Sequence, residues 1–554
     1  GGLVAKALVQ KLKDTNNPLY DKIDKIIFVA VPQIGTPDAV AALLHGSELG
    51  HGFIMYNDRS RQLSENMPTV YNLLPSASYF TTVDPGFAVD KIVSFEDQPF
   101  FTPQTSQYGI YVSNATELKN YILGTDNRAK PSFGDTVHPN IGNSTLYTQA
   151  ETVHQILDSW QPSLNTKVIQ VAGWGEETLA GLDYTTEKDV TEHLSYKPRM
   201  VVDGDGTVVA PSALWMSNSA PNVERWWVDL WKYNDENFPD RVHKSILEVS
   251  EIQDFIKNEI KGSINVNQIY NYVTNNASNL SLEAVQGKRL HYTLHSPLTL
   301  GITDSEGRYT GMDPITKEIK QEIPGVIYKQ IGEVQFISVP AGIAYTLKLK
   351  GYANGFFSLD VDKQTGNQIT ESISFQGISS STLTLATMNI TPSSLVSTSE
   401  LKIDQDGNGS VDQIYHIIDG KTQVTIITPR INASGSLNSG GSSFIPTQVV
   451  EQPKIETKED TVPIVQNTED KKEILENVVV VANPTINVKP IIPVQKKKMV
   501  KKIVVVPTKI PDAAVQNNTE TPINSENLSA SVISAGVDIG FWGIIGRFIY
   551  NIFH

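Results

Sequence analysis

The stretch Met200-Val-Val-Asp-Gly-Asp-Gly-Thr-Val-Val-Ala-Pro211 constrains this chain more than any other. An apolar lead-in, acids alternating with glycines and a second apolar run describe a loop leaving a buried strand. Glycine on both sides lets the backbone bend sharply enough to hold Asp205 in that loop. Two chemistries use such a sequence. In one, Asp203 is an attacking carboxylate and Asp205 a general acid, the Asp-x-Asp-x-Thr arrangement of phosphoryl transfer. In the other, Asp205 is the acid of a Ser-Asp-His triad and orients a histidine further along.

The flanking sequence bears on that choice. Leu3, Ala7, Leu8 and Leu12 recur at helical spacing, with Lys6, Lys11 and Lys13 on other faces. Ile26-Ile-Phe-Val-Ala-Val31 is a continuous apolar run closed by Pro32, and a helix leading into such a run is the pattern of a parallel α/β sheet. A long mixed segment follows, from Gly35-Thr36-Pro37 to about Trp160. Lys167 to Gly173 returns to strand, the Asp205 loop comes next, and Val223 to Leu230 is another strand. His243 then opens a helix carrying Ile246, Val249, Ile252, Phe255, Ile256 and Ile260 on one face. A triad acid requires a histidine after one further strand, and His243 stands there. The phosphoryl-transfer reading requires a second, paired-acid motif, and none precedes the β-rich region. Only 10 histidines are present. The bland alternative for His243 is a surface histidine at a helix start. His45, His51, His138 and His154 fall in the long insertion as surface or lid residues, and no pair has zinc-ligand spacing.

At this point a resemblance becomes specific. Gly1-Gly2-Leu3-Val4-Ala5 looks like the end of a Gly-His-Ser-x-Gly-Gly nucleophile elbow and the start of its helix. Val31-Pro32 and Gly35-Thr36-Pro37 match the strand end that follows in lipases of α/β-hydrolase fold. Met67-Pro-Thr-Val-Tyr-Asn-Leu-Leu-Pro75 is similar to a segment of the lecithin:cholesterol acyltransferase-like family, and Gly204-Asp205-Gly206-Thr207-Val208 is similar to its acid motif. The likeness covers roughly residues 1–260. It implies a partial α/β-hydrolase domain over 1–262, with a helical lid at about 38–165 and the order Ser, acid, His. It also implies a lipid or other acyl-ester substrate and no organic cofactor. Asp205 and His243 are then the catalytic acid and base. The serine lies two residues upstream of Gly1, so the chain as given is expected to have no esterase activity.

From about Ile264 the pattern changes to short alternating strands, among them Leu290 to Ser296, Val334 to Val339 and Phe356 to Val361, separated by turns such as Asp304-Ser-Glu-Gly307. This predicts an all-β sandwich over 264–430. Within it, Asp404, Asp406, Asn408, Ser410 and Asp412 alternate through a Gly-rich loop, as in the first nine positions of an EF-hand. The spacing predicts structural Ca2+. Tyr415 stands where that motif has its bidentate Glu, and an Asx/Gly turn is the alternative.

Residues 431–528 read as a disordered linker, Gly/Ser-rich and then Pro-, Val- and Lys-rich, with a basic cluster at Lys496–Lys498 and Lys501–Lys502. The tail 529–554 is apolar and aromatic. The uncharged run between Asp538 and Arg547 is far short of the ~20 residues that span a bilayer. Association of 537–553 with a membrane interface is the expected use of Phe541, Trp542, Ile545, Phe548 and Ile549. With 554 residues, roughly two to four domains are expected. A balance of 45 basic against 60 acidic side chains argues against nucleic acid as a partner. The absence of cysteine removes disulfides and thiolate catalysis. An extracellular or cell-surface location is expected. The competing class is a non-enzymatic adhesion protein carrying a relic hydrolase domain.

Overall fold

Alternation along the strand Lys167–Trp174 organises the first part of the chain. Ile169 and Val171 point to one side, where they pack with Ala30, Val228, Ile246, Ile252 and Phe255. Val168 points to the other, against Val9, Phe28 and Trp160. Each side is covered by a helix, Ser250–Lys261 on the first and Gly2–Asp14 on the second. The strands lie in the order Lys25–Val29, Lys167–Trp174, Val223–Asp229 and Val273–Thr274. The first three are parallel and the last is antiparallel. This is a small α/β sheet with helices on both faces. The computed structural model describes residues 1–426 apart from 48–56, 83–89, 189–191, 218–219, 263–269, 296, 392–398 and 419–420. The expected linker, its lysine cluster and the apolar tail lie outside the described residues.

Several details differ from the periodicity. Lys6, expected on a solvent face, is fully buried, with Nζ 4.4 Å from the Trp215 ring centroid. Burial pushes its ammonium down to about 7, against the pull of Asp158. Ile260, expected on the apolar face, is exposed. Strand Val273–Thr274 pairs with Val223–Asp229, and Leu280 and Ala284 pack with Ala172 and Trp174, so these elements join the α/β part and the antiparallel strands begin at Lys288.

The insertion is not an isolated cap. Its strands Val93–Phe95 and Tyr111–Val112 join the long hairpin Thr178–Lys188/Glu192–Val201 in a second four-stranded sheet. Tyr71, Leu73, Leu74 and Tyr79 are buried in the core beneath that sheet, and Phe80 packs against it. They share that core with Leu182, Tyr184, Leu194 and Tyr196 of the hairpin and with Val334 and Phe336 further along the chain. Phe53, Ile54 and Met55 lie outside the described residues.

Two antiparallel sheets follow, of eight and five strands, and enclose one core that includes Tyr292, Leu300, Phe357 and Phe375. The five-stranded sheet turns its other face to the hairpin. That face carries His291, Thr293, His295, Ser358, Asp360 and Asp362, and all are buried. The layers therefore meet through a seam that is polar along these two strands and apolar at Ile331, Val334 and Phe336. Glu177 Oε1 lies 2.6 Å from His291 Nε2 and Oε2 lies 3.0 Å from Arg289 Nε. Burial alone would raise the Glu177 carboxyl, but His291 and Arg289 outweigh it and hold the group at about 2.

A carboxyl depressed on folding adds stability above its unfolded value and loses it as pH falls through the folded one. Glu177 should therefore contribute on the order of 3 kcal/mol at neutral pH, lost between about pH 4.5 and 2. Glu177→Gln should cost about 3 kcal/mol at pH 7, by leaving the Arg289 guanidinium and the buried His291 ring without their carboxylate. Thermal unfolding against pH checks this: the variant should be less stable at pH 7 and lose less on acidification than wild type.

Candidate active site

Asp205 reaches its place because its neighbours lack side chains. The strand Lys167–Trp174 passes under the loop at Gly173, where an added Cβ would lie 2.5 Å from the Asp205 Cβ. Gly206 turns the chain at φ 93°, and its N–H donates to Thr178 Oγ1 at 2.8 Å, tying the loop to the hairpin. The side chain is 1% exposed. Oδ1 accepts from the N–H groups of Thr207 at 3.1 Å and Val208 at 2.8 Å. Oδ2 stands 2.9 Å from His243 Nδ1. Three donors satisfy the buried carboxylate.

His243 is buried and fixed twice against the same residue, since its backbone N–H also donates to the Asp205 carbonyl at 2.7 Å. It opens the 3-10 turn His243–Glu248 that leads into helix Ser250–Lys261. Just before it, the Arg241 N–H donates to Asn234 Oδ1 at 2.6 Å and the Val242 N–H to Ser245 Oγ at 3.1 Å. The carboxylate partner assigns the ring proton to Nδ1 and leaves the lone pair on Nε2. Such an imidazole can take a proton from a hydroxyl at Nε2 while the carboxylate steadies the resulting cation. The sequence-selected pair is therefore brought together. Asp203 contributes its carbonyl to the loop, accepting the Ala210 N–H at 2.9 Å.

Two further residues, not selected from sequence, stand at this site. Asp38 lies in the first turn of helix Pro37–Leu44. Burial raises its carboxyl, Lys329 and His243 oppose the rise, and Asp205 reinforces it. Lys329 comes from strand Ile327–Ile331 and donates to the Gly206 carbonyl at 2.7 Å, with Nζ 3.9 Å from Asp38. Thr36 Oγ1 donates to the Thr207 carbonyl at 2.6 Å, so the Gly35-Thr36-Pro37 segment abuts the acid loop. Asp38 had a faint signal in following that segment. Lys329 had none.

The insertion histidines serve the interior more than the surface. His45 is buried between Thr136 O at 2.9 Å and Tyr184 Oη at 2.6 Å, stacks on Tyr196, and is pushed down to about 3 by burial. His154 is buried and bonds Asp158 and the Asn72 carbonyl, both at 2.9 Å. His138 is exposed beside Asp135, and His51 lies outside the described residues.

In the Asp404 loop, the carboxylates of Asp404, Asp406 and Asp412 lie within 4.8 Å of one another. Asp404 Oδ1 accepts from Gly407 and Asn408 N–H at 2.7 and 3.1 Å, and Oδ2 from Gly409 N–H at 2.7 Å. Asn408 Oδ1 accepts the Ser410 N–H at 2.8 Å. The chain is thus wound around converging hard oxygen ligands, a donor set suited to a cation such as calcium.

Among the described residues no helix is long and apolar enough to cross a membrane. No protein-family model matches this chain, and no curated protein matches it either.

Proposed function

We propose that this chain supplies the acid and base of a serine ester hydrolase or O-acyltransferase of α/β-hydrolase type, acting on lipid or other acyl esters. The observation that carries the reading is the 2.9 Å contact between Asp205 Oδ2 and the buried His243 Nδ1. The nucleophile is the serine that the resemblance puts two residues before Gly1. Its oxygen attacks the ester carbonyl, His243 Nε2 takes the hydroxyl proton and returns it to the leaving group, and Asp205 holds the ring in the required tautomer. The parallel strands flanked by helices, and the acid loop followed by one strand and then the histidine, support this reading. Membrane association through 537–553 and a cell-surface location remain parts of the proposal.

In the chain extended upstream to include that serine, Asp205→Asn should lower turnover of a long-chain acyl ester on the order of 10⁴-fold. Asp203→Asn should cost far less. Assays of both variants against such an ester and a phosphomonoester separate the two chemistries. Magnesium-dependent phosphate release abolished by Asp203→Asn would overturn the triad.

We also propose one structural calcium held by Asp404, Asp406, Asn408, Asp412 and the Ser410 backbone oxygen. Calcium at about 100 times its Kd should stabilise the protein by about 2.7 kcal/mol through linkage, read as a rise in Tm. Asp406→Ala should abolish calorimetric binding; unchanged binding means the loop is only a turn.

A further inference from the structure

The hairpin and the outer face of the five-stranded sheet do not close completely on each other. Between them lies a cavity of about 550 Å3, lined by Glu96, Ser195, Lys197, Asp360, Glu371 and Ile417 among others. Two buried side chains of its wall, Ser195 and Asp360, are joined through the buried His295 in a relay. Ser195, on strand Glu192–Val201, has Oγ 2.9 Å from His295 Nδ1. His295 ends strand Lys288–His295, and its Nε2 lies 3.1 Å from Asp360 Oδ2. The register explains the second contact. His295 pairs with Ser358 on strand Gly355–Thr365, and Asp360 lies two residues on, along the same face. Lys197 Nζ stands 2.9 Å from the same Asp360 oxygen.

We propose that Ser195, His295 and Asp360 form a second nucleophilic site, which hydrolyses small, polar, uncharged or cationic carboxylic esters. The site is independent of Asp205 and His243. With Nε2–H donated to Asp360, the Nδ1 lone pair of His295 faces the Ser195 hydroxyl. Ser195 Oγ bonds to the ester carbonyl carbon while its proton passes to Nδ1. Collapse breaks the bond to the alcohol oxygen, which leaves with that proton. Water then attacks the acyl-serine by the same relay, releasing the carboxylic acid and restoring the Ser195 hydroxyl. Burial alone would raise the Asp360 carboxyl, but Lys197 and His295 hold it well below the usual range, ready to balance an imidazolium. Lys197 also lines the cavity and offers a cation to a developing oxyanion. The cavity's size and its mainly hydroxyl and charged lining disfavour long acyl chains, and Glu96 and Glu371 disfavour anions.

The test uses this chain as it stands, treated with a small fluorophosphonate and mapped by mass spectrometry. The expected result is an adduct on Ser195, with hydrolysis of a short-chain acetate ester lost in Ser195→Ala. Labelling of Ser195 should slow about 100-fold or more in His295→Gln, the contribution of a general base. Absence of an adduct on Ser195 in the wild-type protein overturns the proposal without recourse to any variant. An adduct that forms as fast in His295→Gln, with Tm shown to be retained, also overturns it, because the hydroxyl is then merely accessible. Mapping by residue keeps this outcome separate from that of the Asp205–His243 site.

Discussion

The arrangement around Asp205 depends on one buried carboxylate that must find all its partners within a few residues and across the fold. Two come from its own loop, the N–H groups of Thr207 and Val208, and the third is the His243 ring. An unsatisfied buried carboxylate would cost far more than any of these bonds returns, so the loop, the histidine and the strand carrying Gly173 form together or not at all. The same satisfaction requirement fixes the tautomer that acid–base chemistry needs. Structural demand and chemical utility coincide in the orientation of one imidazole ring.

A second constraint operates where the layers meet. The α/β sheet and the two-sheet core are each apolar inside, and apolar packing alone specifies orientation loosely. The seam between hairpin and five-stranded sheet is different. Glu177 with His291 and Arg289, and Asp360 with Lys197 and His295, are hydrogen-bonded or ion-paired pieces that match in one register only. Removing one partner strands another in a buried environment. Such a seam contributes alignment more than net stability, and the cavity beside Ser195 lies along it.

What was legible in the sequence follows from how local its cause was. The Asp205 loop announced itself through alternating acid and glycine, and His243 through its position after one more strand. The hairpin Thr178–Val201 did not, because Asp183, Glu187, Lys188, Glu192 and Lys197 interrupt any apolar rhythm. His291, Thr293 and His295 read as the solvent face of an alternating strand. Period-two alternation separates the two faces of a strand but cannot tell water from a second polar layer. Lys6 fails for a similar reason: helical spacing marks it as surface, and the rings of Phe28, Trp160 and Trp215, brought in by the fold, bury it. Tyr71, Leu73, Leu74 and Tyr79 fit a mobile apolar surface and a small core equally well in the sequence, because periodicity carries no information about the sheet that covers them.

Lys329 carries the argument one step further. Its ammonium bonds the Gly206 carbonyl, while the Gly206 N–H is already taken by Thr178, so both polar groups of that peptide position are held from outside the loop. A residue from the second part of the chain thereby helps set the turn that presents Asp205. The same cation opposes the rise of the Asp38 carboxyl beside His243. A positive charge at this point steadies two acids at once, one through the backbone and one through the field. The two-sheet core is therefore not an appendage that could be cut away with the site left intact. It supplies a charge that the α/β part does not otherwise place there among the contacts described.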